Sequence, residues 1–161
     1  MARKQVIDLS DEIARIKKYS ADVCRTAAGL IRDELTKTAA EAIELFYQNY
    51  DPSSYDRHYY NFRENSFEKY YAKSGNYYYG GVKLTPENME DIYTRDKGNP
   101  QEVFESVYAG FHGPIVGYMR AGFQIPIMNP SPMDLIVAKR DEIVTNPGKY
   151  IQNAKKIVNR R

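Results

Sequence analysis

Apolar and small residues recur every three or four positions along the first third of the chain, from Asp8 to about Tyr50. This spacing places them on one face of a helix with 3.6 residues per turn. The stripe consists of Leu9, Ile13, Ile16, Val23, Ala27, Leu30, Ile31, Leu35, Ala39, Ala42, Ile43 and Phe46. Asp8 can cap the start, and Asp51 before Pro52 is expected to end the helix because a residue before proline avoids helical angles. The pattern therefore predicts one amphipathic helix over residues 8–50.

The length of this predicted helix has a consequence for assembly. About 40 residues at roughly 1.5 Å each span roughly 60 Å. A compact domain of 161 residues has a diameter of only about 40 Å. Two interpretations stay open. Either the helix bends, with Gly29 as its weakest point, or its end extends beyond the domain and packs on another subunit.

The middle of the chain is predicted to form a hairpin rich in tyrosine. Residues 67–72 and Tyr77 to Leu84 have strand character, and Lys73-Ser74-Gly75-Asn76 between them suits a hairpin turn. Gly80-Gly81 indicates either a bulge or a close approach of another backbone. Residues 58–67, just before the hairpin, are ambiguous between an extended arm and a short strand. Consecutive strand residues alternate faces, so Tyr77, Tyr78 and Tyr79 do not form one flat stacking platform.

Helices are predicted in the remaining part of the chain. Thr85-Pro86 begins a short helix that reaches Tyr93, and a second runs over residues 100–108. Residues 115–128 are apolar and β-prone, either a strand or an irregular loop, with Pro126 excluded from a central strand. The last two helices cover residues 132–144 and 149–158. The sequence thus predicts a single α+β domain over 1–161: the long helix (8–50), packed on a small, mainly antiparallel sheet with short helices (55–128), and C-terminal helices (132–158).

Charge and cysteine content narrow the classes of function. The 23 basic and 21 acidic residues give a net charge of +2, which implies no general attraction to nucleic acid or membranes. The basic excess lies late, after Asp134. The single cysteine, Cys24, excludes an intrachain disulfide and is expected to be a small core residue. No run of apolar residues is long enough to span a membrane, and no signal peptide is evident. The protein is therefore expected to be made and used in a reducing cytoplasm.

Tyrosine is unusually frequent: there are fifteen, with six Phe and no Trp. Ten of the fifteen lie between Tyr47 and Tyr79. Tyrosine combines a large apolar ring with a polar tip and is enriched where protein surfaces meet. Half-exposed rings packed on a small sheet are the alternative, and the sequence alone does not separate the two.

Candidate chemistry is sparse. The only histidines are His58 and His112. His112 lies between glycines in a compact Gly110–Gly113 segment. Arg57, His58, Tyr59 and Arg63 together are residue types that a nuclease with a histidine base would use. Neither provides an assigned nucleophile, and no phosphate-binding or hydrolase motif is present. We therefore expect no catalytic, cofactor-binding or metal-binding residues.

The order of elements resembles the neck and tail-completion proteins of long-tailed bacteriophages. The similarity rests on the long helix, the Tyr-rich hairpin, Val103-Phe104-Glu105, the segment from Tyr108 to Gly113, and Pro130-Ser131-Pro132 before a helix. One departure is the turn after the long helix, which reads Asp-Pro-Ser-Ser-Tyr-Asp-Arg over residues 51–57 without the Thr-Gly of typical members.

This resemblance implies a virion structural protein that forms a homo-oligomeric ring, a hexamer or alternatively a dodecamer, at the head–tail junction. Its partners would be other neck or tail-tube proteins, with DNA only as cargo in the channel, no membrane and no cofactor. Assembly would take place in the host bacterial cytoplasm. Candidate subunit-interface residues are Tyr77, Tyr78, Tyr79, Tyr108, Phe111 and His112. Two alternatives are a nucleic-acid-binding or processing protein using Arg57, His58 and the basic C-terminal helix, and a small enzyme centred on His112.

Overall fold

One helix of 40 residues, α1 (Ser10–Asn49), forms the spine of the molecule. The computed structural model describes residues 9–49, 59–89, 100–112 and 125–160. After α1 come α2 (Tyr59–Asn65), β1 (Phe67–Ser74), β2 (Tyr77–Leu84), a 3-10 turn (Pro86–Met89), α3 (Pro100–Tyr108), β3 (Phe111–His112), β4 (Ile125–Pro126), α4 (Pro132–Thr145) and α5 (Gly148–Val158). The β1–β2 hairpin, α4 and α5 all pack on α1. The predicted α+β class, with a long N-terminal helix and short C-terminal helices, is confirmed.

The long helix is continuous through Gly29. Asp11 and Glu12 occupy its first turn, where the helix dipole favours acidic side chains. The apolar stripe is buried only from Val23 onward. Every residue from Leu9 to Ser20 is exposed. We call residues 9–20 the overhang, because this segment of α1 extends beyond the elements that pack on the rest of the helix.

Gly80 brings the β1–β2 hairpin into direct contact with α1. The two strands pair antiparallel in unbroken register from Phe67 opposite Leu84 to Ser74 opposite Tyr77, so there is no bulge. A Cβ atom at Gly80 would lie 1.8 Å from the carbonyl oxygen of Ala28. Of the two predicted meanings of the glycine pair, close backbone approach is therefore the observed one. The predicted turn is also found, with Gly75 at a φ of 57°.

An aromatic cluster forms the main core at the C-terminal end of α1. Ile43 and Phe46 pack there with Phe62 from α2 and with Phe104 and Tyr108 from α3. The Phe104 and Tyr108 rings are 4.6 Å apart between centroids. Aromatic pairs at such distances add to the stabilisation from area burial alone.

Two smaller clusters hold the C-terminal helices against the middle of α1. Val23 and Ala27 pack on Ala154 of α5. Further along, Leu35 packs on Ile143 of α4 and Tyr150 of α5. The chain therefore returns along α1 towards the overhang, and α5 covers the part of the stripe that directly follows it.

Several sequence predictions need correction. Tyr59–Asn65 is a helix, not an extended arm or strand, because Phe62 anchors it in the core with no exposed surface. Cys24 is exposed, not a core residue, because it lies beside the stripe that Val23 and Ala27 form. The helix predicted from Thr85 is a 3-10 turn over Pro86–Met89. The rest of its predicted span, and most of residues 115–128, lie outside the described residues; Ile125–Pro126 pairs with Phe111–His112 as a short strand.

Candidate interaction surfaces

The overhang is the first candidate surface. Leu9, Ile13, Ile16 and Tyr19 are between 38% and 57% exposed. Their spacing of three and four residues aligns them along one face of the helix, in continuation of Val23 and Ala27. Charged groups flank this face, among them Arg15, whose Nη2 is 2.7 Å from Oε1 of Glu12. The overhang is thus an amphipathic helical segment whose apolar face is open to solvent.

An apolar groove next to α1 is the second candidate surface. Its floor consists of α1 residues between Val23 and Leu35, one wall is formed by residues 76–80, and the other by residues of α4 and α5 between Arg140 and Ile151. Its volume is about 510 Å³. Tyr77, Tyr79, Val144 and Ile151 line it and are largely exposed, so they form its rim. Cys24 also lines the groove.

Tyr150 is an unusual group in this groove. Its side chain is only 5% exposed, and its hydroxyl has no hydrogen-bond partner within the part of the chain that the structure describes. Burial raises the pKa of Tyr150 above its usual value. A buried hydroxyl without a partner is costly, and this one is closed to solvent, so it is not presented to an occupant of the groove.

The three consecutive tyrosines alternate as the strand geometry predicts. Tyr77 and Tyr79 are exposed, and Tyr78 is half-buried. The Nζ atom of Lys73 lies 5.5 Å from the centre of the Tyr78 ring. Tyr70, opposite Gly81 in the register, is also exposed and shares the outer face with Tyr77 and Tyr79.

The remaining interface candidates lie elsewhere. Tyr108 is 2% exposed and belongs to the aromatic core, which corrects its assignment to the subunit surface. Its hydroxyl is 3.2 Å from Oγ of Ser66, and burial raises the pKa of Tyr108 to about 12. Phe111 is half-buried, and the side chain of His112 is outside the described part of the structure. The structure therefore brings Tyr77, Tyr78 and Tyr79 together at the groove, apart from Tyr108.

The residues considered for chemistry are not assembled into a site in the described segments. In the part of the chain that the structure describes, no group of three or more His, Cys, Asp and Glu side chains is placed to hold a metal ion. Arg57 and His58 lie outside the described residues, and Nη2 of Arg63 is 3.9 Å from Oε2 of Glu44. On α5, Lys155 and Lys156 are exposed.

Sequence reasoning missed the groove, because three separate segments form it. The exposed Val144 and the buried Tyr150 gave no individual signal. Gly80 was the one available indication, since a glycine within a strand marks close approach. That approach places β2 against Ala28 and so fixes one wall of the groove.

Comparisons with known proteins identified no relative of this chain. No family model matches the chain, and neither a curated protein nor a solved structure is significantly similar to it. In the segments that the structure describes, none of the helices combines the length and apolarity needed to cross a bilayer. The class that the fold defines is an α+β protein whose long helix carries a two-stranded hairpin and two C-terminal helices.

Proposed function

We propose that this protein is a virion structural protein that assembles with copies of itself into a ring at the head–tail junction of a long-tailed bacteriophage. The observation that carries the proposal is the overhang, where Leu9, Ile13 and Ile16 expose an apolar stripe. Contiguous apolar surface on a folded domain marks a site of interaction. The sequence resemblance to neck and tail-completion proteins supplies the location within the particle.

Two further features support self-assembly. A two-stranded sheet is marginal by itself, and the outer face of this hairpin carries Tyr70, Tyr77 and Tyr79. In addition, the overhang and the groove are different surfaces on the same subunit. When two different surfaces meet head to tail, the assembly is a ring if the rotation closes and a filament if it does not.

In this proposal the function of the protein is mechanical. Its contacts are with its own copies and with neighbouring neck or tail-tube proteins, and DNA passes through the channel as cargo. The subunit needs no cofactor and catalyses no reaction. The ring contains six subunits, with twelve as the alternative.

Native mass spectrometry of the purified protein tests the proposal, with negative-stain images of the same sample. We expect a single closed oligomer of six or twelve copies and ring-shaped particles with a central hole. A mass that stays at one subunit as the protein concentration is raised to the millimolar range would refute ring formation. Portal, capsid or tail-tube genes beside the coding sequence would support the assigned location, and their absence would count against it.

A further inference from the structure

We propose that the overhang of one copy docks in the groove of a second copy, with Leu9, Ile13 and Ile16 facing the apolar floor. The inference rests on the proposed function only in requiring that the chain assemble with itself. It goes further by naming the two surfaces that meet. Both belong to the described part of the molecule: the overhang is exposed, and the groove has a buried apolar floor with an exposed rim.

The occupant has to come from another molecule because both surfaces belong to the same continuous helix. Ile16 of the overhang and Cys24 of the groove are eight positions apart on α1, which is about 12 Å along the axis. An unbroken helix does not fold back on itself. The overhang of a given subunit therefore cannot fill the groove of that subunit.

The packing within the subunit shows what partner this stripe accepts. Immediately after the overhang, Val23 and Ala27 continue the same stripe and are covered by a helix, α5, through Ala154. The groove floor includes these two residues and continues along α1 to Leu35. A helical segment laid in the groove would extend this established helix-on-helix layer, which favours the helical overhang as occupant over an irregular segment.

The available area matches that of a stable interface. The overhang contributes four large apolar or aromatic side chains that are about half exposed, and the groove rim contributes four more. At roughly 100 Å² of exposed surface for each such side chain, their complete burial would remove at most about 800 Å² of mainly apolar surface. Since a little over half of an interface is apolar, the upper bound on the total area is about 1,400 Å², within the range of specific complexes.

Thiol crosslinking tests the docking directly, because Cys24 is the only cysteine and is exposed in the groove. The variant Ile16→Cys adds a second thiol on the apolar face of the overhang. After treatment with a short bismaleimide, we expect covalent oligomers that disappear in the double variant Ile16→Cys, Cys24→Ser. The matched control is Lys18→Cys, on the opposite face of the same segment, which should yield at least about tenfold less Cys24-dependent product.

The pattern of products separates this inference from the proposed function. A ladder that exceeds the dimer supports both docking and a ring, whereas Cys24-dependent product that ends at the dimer supports docking but contradicts the ring. Crosslinks that persist without Cys24 show that overhangs pair with each other and overturn the docking. A ring by native mass spectrometry without any crosslink also overturns it, while the ring survives.

A second pair of variants measures the contribution of the stripe. Ile13→Asp should weaken assembly at least about tenfold in dissociation constant, since it places a charge against an apolar floor. Leu45→Asp changes a similarly exposed apolar residue of α1 outside both surfaces and should leave assembly unchanged. Circular dichroism establishes that both variants fold. Equal assembly of the two variants would overturn the docking.

Discussion

Replacing Gly80 by Ala should destabilise the protein strongly, because β2 and α1 meet there backbone to backbone. The new Cβ atom would lie 1.8 Å from the oxygen and 2.6 Å from the carbonyl carbon of Ala28. Ordinary contacts of this type are no closer than about 3.4 Å. No flexible side chain can move aside, so β2 has to retreat from α1 by about 1.5 Å.

The cost in stability arises because this movement of β2 separates side chains that pack on α1. Val82 and Leu84 follow Gly80 on the same strand and pack against the apolar clusters on α1. Overpacking of a well-packed core costs about 1–3 kcal/mol. We expect the upper part of this range, about 3 kcal/mol, because both backbones are parts of regular elements. For a domain of this size that lowers the melting temperature by roughly 6–12 °C.

Gly81→Ala is a matched control at the adjacent residue. No atom lies within 4 Å of a Cβ at Gly81, and Gly81 is not among the glycines with positive φ in the described residues. Loss of chain entropy in the unfolded state should make this variant more stable by roughly 0.4–1 kcal/mol. Urea unfolding followed by circular dichroism gives both values. Equal stability of the two variants would refute the account of how the hairpin is seated on α1.

Two further substitutions test the helix cap of α4 and the aromatic core. Ser131→Ala removes the oxygen that accepts from the backbone N–H of Asp134, and should cost about 1 kcal/mol in urea unfolding at pH 7; an unchanged midpoint would contradict the capping role. Tyr108→Phe should flatten the alkaline loss of stability. Burial raises the pKa of Tyr108 from 10.0 to about 12, so its contribution is complete below pH 10 and is lost as the pH rises towards 12. Unfolding of Tyr108→Phe and of the exposed control Tyr77→Phe at pH 8 and 11 should show the flatter slope only in the first.

Sequence periodicity was sufficient to predict the longest secondary-structure elements. The helix predicted over residues 8–50 is found as Ser10–Asn49, because a stripe repeated over many turns outweighs local ambiguity. The hairpin was also predictable, since Gly75 supplies the positive φ of its turn. In contrast, Tyr59–Asn65 has only seven residues. So short a segment has no readable period, and its conformation depends on the burial of Phe62 in the tertiary core.

Which residues are buried also depends on contacts with distant segments, whose positions cannot be read from the sequence. An α-helix has 3.6 residues per turn, so a stripe of residues spaced three and four apart drifts slowly around the helix. The residue at the edge of the stripe therefore differs from one turn to the next. Around Cys24, α5 covers Val23 and Ala27, whereas β2 approaches Ala28. Cys24 remains between them and exposed. The same arrangement of three distant segments creates the groove, which no local pattern could reveal.

The pairing of α1 with α5 joins nearly the two ends of the described chain and so sets an order of events during translation. At about 5–20 residues per second, roughly 7–26 s pass between the emergence of Val23 and that of Ala154. During that time Val23 and Ala27 lack the cover that α5 later provides. The groove wall that α5 provides does not exist before then, so under the proposed docking a ribosome-bound copy cannot yet receive the overhang of another copy.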